Sequence, residues 1–324
     1  MLIDPEVDGQ VRVLSIDGGG IRGLLNATLI AELERELDGP VQDHFDVIAG
    51  TSTGALIAAG LSAPSREGRA LDAGVFVDIY RQRAADIFPR RRTRSRAVLS
   101  AAKRPTESPA LDDILRTYVR DARLADTAVE VAIPAYDVEG REPVLFTRAA
   151  ARAAGENEFL LADAALASAA APSYLPSVER VWRTRRRRFI DGGVFANDPA
   201  LLTLLALRRA DKDRSVRVLS LGTGSGRLEY GGTTKNGLQV DPRNAQLLFT
   251  GALESVLDAN GRMASQAVQQ LLAPENYLRI NYEFPDGVPN LDDARPGTLA
   301  QLSDKALKTW RERGAEIVEW VVRS

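Results

Sequence analysis

The chain contains no cysteine, which excludes disulfides, thiolate metal ligands and a cysteine nucleophile together. It has a single histidine, His44, so chemistry that needs an imidazole must find it at that position. No apolar run approaches the roughly 18 residues that a membrane-spanning helix requires. The segment Met1 to Asp17 lacks a basic stretch followed by an apolar one, so it does not read as a secretory signal. Charge of neither sign dominates: 44 Asp and Glu stand against 42 Lys and Arg, a formal net charge of −2. Such a balance gives no field that would select a nucleic acid polymer. No His, Asp and Glu cluster has metal-ligand spacing, and neither a metal nor a cofactor is expected.

What is present is ordinary for a protein with a large core. Of 324 residues, 44% are hydrophobic and 27% charged, and one α/β domain over residues 1–324 is the expectation. Val11–Ile16, Phe45–Ala49, Val129–Ala135 and Val216–Leu221 read as short buried strands. Leu25, Leu29, Leu33 and Leu37 recur at helical spacing, and Gly39-Pro40 stops that helix. Further helices are expected near 109–121, 161–171, 198–210, 249–272 and 298–322. Strands alternating with helices predict a three-layer α/β sandwich, a parallel or mixed sheet with helices on both faces. The stretch Pro89–Pro109 is basic and rich in Ser, Thr and Pro, and reads as a mobile loop.

Two glycine-rich turns follow two of the strands. Gly50-Thr51-Ser52-Thr53-Gly54 matches the G-x-S-x-G nucleophile elbow, with a strand before it and a helix after it. Such a turn demands small residues two positions either side of the serine, here Gly50 and Gly54. It sets the hydroxyl at a helix N-terminus, where negative charge is favoured. Asp17-Gly18-Gly19-Gly20-Ile21-Arg22-Gly23 is a loop whose N–H groups can face a ligand with no Cβ in the way. In a right-handed βαβ unit both turns lie at the carboxyl ends of adjacent parallel strands. Gly19 and Gly20 are therefore placed to form an oxyanion hole for Ser52, worth about 3–4 kcal/mol per donor. Arg22 has two readings, reinforcing the positive potential or tying the loop down. Gly18-x-Gly20-x-x-Gly23 also fits a dinucleotide fingerprint. That reading needs an acidic residue at the end of the second strand. Asp46 stands at its beginning, and the end carries Ser52.

The base for Ser52 cannot be His44. That residue precedes the strand which the elbow terminates, and about eight largely extended residues put it roughly 20 Å or more from Ser52. A carboxylate must take the proton, and Asp191 is the candidate: Arg188-Phe189-Ile190 reads as strand and Asp191-Gly192-Gly193 as a tight turn. An aspartate is a weak base for an alcohol unless an apolar site raises its proton affinity. Asp17 competes, and reads instead as the anchor of its own loop. Leu24, Leu25 and Leu56 are candidates for lining an acyl pocket or belong to the core.

The set DGGGIRG at 17–23, GTSTG at 50–54 and DGG at 191–193 resembles the patatin-like phospholipases. The resemblance extends to IPAYDV at 133–138, AAPSYLP at 170–176, DGGVFANDP at 191–199 and SLGTG at 220–224, so it spans about residues 11–225. It departs at Ala169, where the family often has serine, and at Asp198, where it often has asparagine. The resemblance implies a phospholipase A type acyl hydrolase with a Ser52–Asp191 dyad and Gly18, Gly19 and Gly20 as oxyanion loop. Gly50, Gly54, Gly192, Gly193 and Arg22 would support that site. It further implies a phospholipid membrane surface as substrate, met peripherally from the cytoplasm at the inner face. YLRIN at 277–281 resembles bacterial members that a cyclic di- or oligonucleotide activates in anti-phage defence. A homo-oligomer is a further expectation.

Two basic clusters remain. Arg90, Arg91, Arg92, Arg94, Arg96, Lys103 and Arg104 form one; Arg183, Arg185, Arg186, Arg187 and Arg188 form the other. They read either as solvated charge on a loop and a hairpin tip, or as docking points for anionic lipid or a polyanionic nucleotide. Three functions compete: a constitutive lipid acyl hydrolase, the same chemistry held latent until a nucleotide or partner switches it on, and a non-catalytic nucleotide-binding module.

Overall fold

A computed structural model describes residues 9–64, 71–87, 109–154, 159–226 and 245–323. The basic cluster of residues 90–104 and the expected loop around it lie outside the described residues.

In chain order the chain forms β1 (Val11–Ile16), α1 (Gly23–Leu37), β2 (Val47–Gly50), α2 (Thr53–Ser62), α3 (Gly74–Ile87), α4 (Pro109–Tyr118), β3 (Glu130–Asp137) and β4 (Glu142–Thr147). Then come α5 (Arg148–Ala154), α6 (Leu161–Ala169), β5 (Val178–Trp182), β6 (Arg185–Asp191), the single turn α7 (Gly193–Ala196), α8 (Ala200–Ala210) and β7 (Val216–Leu221). The chain closes with β8 (Ser225–Gly226), α9 (Ala245–Leu271), β9 (Tyr277–Ile280), β10 (Glu283–Phe284) and α10 (Pro296–Val322).

The central sheet is mixed. β3, β2, β1, β7 and β9 run parallel in that spatial order, while β4 and β6 are antiparallel to β3 and β5 is antiparallel to β6. Every residue of β1 except Arg12 is buried, because both faces are covered. Val11 and Val13 pack with Ala200, Leu204 and Val268 of α8 and α9. Leu14 and Ile16 pack with Leu25, Leu29 and Leu33 of α1 and with Ile317 of α10. That two-sided burial explains why the strands read as continuous apolar runs rather than alternating ones. Leu29 and Leu33 are fully buried, and each contributes about 1.5–3 kcal/mol of burial. Leu29→Ala alone would cost about 2–5 kcal/mol. The helix ends where Asp38 turns into the left-handed region at φ 52°, its N–H closing on the Glu34 carbonyl.

The register around β3 fixes the geometry of the site. β4 occupies one edge of β3 along Ala132–Asp137, so β2 and β6 must share the other edge. β2 pairs with residues 130–132 and β6 with residues 135–137. The two strands thus approach each other end to end, and Gly50-Thr51-Ser52 meets Asp191 in the gap between them.

Candidate active site

Ser52 begins α2 at φ 54° and ψ −120°, a backbone region that costs a non-glycine residue on the order of 1–3 kcal/mol. The surroundings enforce it. Thr51 donates its N–H to Ile16 O at 3.1 Å and its hydroxyl to Ala196 O at 2.7 Å. A Cβ on Gly50 would stand 2.1 Å from Gly54 O, and one on Gly54 would stand 2.2 Å from Ile16 O. The two glycines of the elbow are therefore fixed by close backbone approach. The Ser52 N–H donates to Ser168 Oγ on α6 at 3.1 Å.

Asp191 is 3% exposed. Its carboxylate accepts the Gly193 N–H at 2.7 Å and lines the same cavity as Ser52. Its own N–H donates to Ala170 O at 3.0 Å. Burial pushes Asp191 up to about 7, although the Ser52 hydroxyl and the Gly193 N–H both favour its anion. No cation takes part in that balance. An aspartate of ordinary acidity would be a poor acceptor for an alcohol proton; this one is tuned to neutral pH.

The glycine loop closes over the same point. Gly18 lies against Ser52: a side-chain carbon there would be 3.3 Å from Ser52 Cβ. Its N–H is occupied, donating to Asn197 O at 2.9 Å. That leaves Gly19 and Gly20, whose N–H groups find no acceptor among the described residues and which line a cavity with Ser52 and Asp191. Gly20 adopts φ +58°, which glycine reaches without penalty. The cavity has about 40 Å³ of room, space for a few waters. Its wall is apolar, with Leu56, Ile87, Leu111, Leu175 and Leu257, and it abuts a second apolar pocket between α3 and α4. Leu56 is thus at the cavity wall. Leu24 and Leu25 are not: both are fully buried in the core, because their side of α1 faces the sheet.

Several residues that hold the site were not marked out in the sequence. Arg279 of β9 forks onto Asp17, Nη1 to Oδ1 at 2.8 Å and Nη2 to Oδ2 at 2.5 Å. Its Nη1 lies 3.4 Å from Asp198. Burial disfavours the Arg279 charge, yet Asp17 and Asp198 hold it above the ordinary arginine range. Asp17 is therefore bound from below, as the anchor of its loop. The aspartate at 198, a departure from the resemblance, has its own counter-ion in Arg279. Asn260 of α9 accepts the Asn197 N–H at 2.8 Å and donates to Gly193 O at 2.7 Å. The only advance signal was YLRIN, which carries Arg279 without indicating its partner.

The remaining candidates fall elsewhere. His44 caps a 3-10 turn before β2, at the far end of that strand from the elbow. Asp46 accepts the Arg12 N–H at 2.7 Å and stands at the start of β2, where it could not meet a ribose beside the glycine loop. In the second basic cluster, Arg186 and Arg188 lie against Glu179, and Arg187 against Asp137 at 2.9 Å. Arg183 stacks over Trp182 at 4.4 Å. Among the described residues the helices hold none long and apolar enough to cross a membrane, and no group of three His, Asp or Glu could hold a metal ion.

A mixed sheet with a serine on a strand–helix elbow, beside a buried aspartate, belongs to the class of α/β serine esterases. The family model described as Patatin-like phospholipase matches residues 14–204. Patatin-like protein 2 of Arabidopsis thaliana is 36% identical over 94% of this chain and 84% of its own length. Patatin-like protein 1 of Oryza sativa subsp. indica is 37% identical over 67% of this chain, and the match spans 59% of the rice protein. A cGAMP-activated phospholipase of Pseudomonas aeruginosa is 31% identical over 90% of this chain and 86% of its own. The chain belongs to the patatin-like phospholipase family, a family of serine esterases that hydrolyse lipids.

Proposed function

We propose that the chain is a phospholipase A type acyl hydrolase working through a Ser52–Asp191 dyad. The observation that carries this reading is the juxtaposition of Ser52, strained on its elbow, with a buried aspartate on the wall of the same cavity, whose proton affinity burial raises to near neutral pH against the Ser52 hydroxyl. Asp191 takes the hydroxyl proton as Ser52 Oγ attacks the ester carbonyl. The N–H groups of Gly19 and Gly20 receive the developing oxyanion, with the N-terminus of α2 adding positive potential. The intermediate collapses to acyl-Ser52, and the departing alcohol carries off the proton held by Asp191. Water then gives a proton to Asp191 and attacks the acyl carbonyl. Fatty acid leaves and Ser52 is reprotonated. The test is fatty-acid release from mixed phospholipid vesicles. Ser52→Ala as active as wild type would sink the dyad.

Regulation by a cyclic oligonucleotide is the finer reading, and one observation supports it: a relative is named as cGAMP-activated. Fatty-acid release that requires a cyclic dinucleotide would mark a switched effector, and release without one a constitutive hydrolase.

Peripheral action on a membrane surface, reached from the cytoplasm, completes the proposal. β6 runs antiparallel to β3, so the β5–β6 hairpin projects beyond the strand ends that carry Ser52 and Asp191. From Asp191 back to Arg185 is about 20 Å of strand. Val181 on the hairpin is 66% exposed, and Arg183 and Arg185 at its tip have no carboxylate in reach among the described residues. Unchanged vesicle binding by an Arg183→Ser/Arg185→Ser double variant would remove the hairpin from the docking surface.

A further inference from the structure

The parts of the site are held by different means. The glycine loop is braced from within, since Arg22 Nε donates to Gly19 O at 3.3 Å. Ser52 and Asp191 stand at the ends of separate strands, and one short segment at the end of α6 touches both. Ser168 Oγ accepts the Ser52 N–H at 3.1 Å. The carbonyls of Ser168 and Ala170 accept the N–H groups of Gly192 at 3.3 Å and of Asp191 at 3.0 Å. Residues 168–170 thus join the elbow to the Asp191-Gly192-Gly193 turn.

The sequence of α6 suits it to this task. Leu161–Ala169 reads LADAALASA, and every one of these residues is buried. Only Asp163 and Ser168 are polar. Asp163 fixes the start of the helix, accepting Arg116 Nη2 of α4 at 3.1 Å and Arg180 Nε of β5 at 2.9 Å. Ser168 stands at the other end. The last carbonyls of a helix have no partner within it, so that end is free to receive the base turn. Gly192 is pressed onto β3 there, where a Cβ would stand 2.2 Å from Pro134 O. Any residue at 168 would supply the carbonyl, and the base side of the brace is therefore indifferent to the side chain. The nucleophile side is not. Ser52 enters α2 from a backbone at φ 54°, and its N–H reaches an acceptor that is fully buried, where water offers no substitute. Serine is the smallest side chain that brings an oxygen into a helix otherwise packed with alanine.

We propose that Ser168 is a positioning residue, whose hydroxyl sets where Ser52 stands relative to Asp191; this rests on the reading of those two as the reacting pair. Ser168 does not line the cavity at Ser52, although its neighbours Ala169 and Ala171 do. It acts on the reaction through the Ser52 backbone alone. Misplacing a reacting group by about 1 Å can cost about 100-fold in rate. Loss of the hydroxyl should accordingly slow turnover and leave lipid binding as it was.

The experiment follows kcat and KM for fatty-acid release from phospholipid mixed micelles across pH. The proteins are wild type, Ser168→Ala, Ser168→Cys and Ser168→Thr, each checked for folding by guanidinium unfolding. Ser168→Ala removes the acceptor. Ser168→Cys keeps the shape with a weak acceptor, and it carries the test if Ser168→Ala does not fold. Both are expected to lower kcat about 10- to 100-fold with KM unchanged, and Ser168→Thr to restore most of it. The Ser52 hydroxyl favours the Asp191 anion, and no charged side chain enters that balance. A Ser52 released from its place should therefore move the acid limb of the kcat profile to higher pH. Wild-type kcat with an unmoved limb in Ser168→Ala and Ser168→Cys, whatever their stability, overturns the proposal and leaves Ser168 a structural bond. A loss in Ser168→Thr as large as in Ser168→Ala overturns it too, as does a raised KM at constant kcat. Amide exchange supplies a readout apart from catalysis. In Ser168→Ala the Ser52 N–H should exchange faster while those of Asp191 and Gly192 stay protected, and an unchanged Ser52 N–H again counts against the brace. If Ser52→Ala releases fatty acid as fast as wild type, the catalytic reading fails instead, and exchange at Ser52 still judges the role of Ser168.

Discussion

Asp17-Gly18-Gly19 after β1 and Asp191-Gly192-Gly193 at the end of β6 are the same tripeptide, and their aspartates are 4% and 3% exposed. Their surroundings differ. Asp17 meets the fork of Arg279, while Asp191 meets a hydroxyl and one N–H. Burial pushes both up to about 7. At Asp17 the Arg279 fork opposes that push and occupies both carboxylate oxygens, whereas at Asp191 no cation enters and the carboxylate is left facing Ser52. The chemistry of a DGG turn is therefore decided by what faces it from elsewhere in the chain.

The largest effect expected of this difference is on turnover. Asp191→Asn should lower fatty-acid release about a thousandfold or more, whereas Asp17→Asn, whose loop is still held by backbone bonds to Leu221 and Asn197, should lose far less. Equal losses in the two variants would erase the distinction. Next comes stability. Arg279→Met leaves Asp17 and Asp198 buried without their counter-ion, and denaturant unfolding should show a loss of about 3–5 kcal/mol. A neutral outcome would mean that Asp17 is no more paired than Asp191. The pH profile of kcat/KM sharpens the contrast further. Only the ionised Asp191 accepts the serine proton, so the rate should fall about tenfold per pH unit below an apparent pKa of about 7. A limb near 4 instead would show that burial does not tune this carboxylate.

The elbow and both DGG turns were legible in the sequence because close backbone approach permits only glycine at such points, and that constraint is local. The strands β1, β3 and β7, as continuous apolar runs, and most helices, by their period, were legible because those signals too are set by neighbouring residues. Arg279 was not, since it meets Asp17 across 262 positions and nothing in a short strand reveals its partner. Ser168 and Asn260 were hidden likewise, since nothing in their own helices reveals the partners they meet on other elements. α3 was missed because Val75-Phe76-Val77 is an unbroken apolar run at its start, although its buried positions, Phe76, Ile79, Tyr80, Ala84 and Ile87, keep helical spacing. The arginines of β6 read as one basic cluster, yet three lie against carboxylates supplied by β5, β3 or its turn. Charge counted along a strand overlooks what pairs across it.

The smallest predicted effect separates electrostatic tuning from mere burial. Asp191 titrates near 3.8 in the unfolded chain and at about 7 in the folded one. Between those values the folded state binds a proton that the unfolded state has released. Stability therefore falls as pH rises through that window and levels off above about 7. Asp191→Asn carries no such penalty. Its stability relative to wild type should be near zero at pH 4 and reach a gain of a few kcal/mol at pH 8, read from guanidinium unfolding of both proteins at each pH. Buried carboxylates elsewhere shift both proteins alike and cancel in the difference. A gap independent of pH would place the folded pKa of Asp191 in the ordinary range, and its fitness as a base would then need another cause.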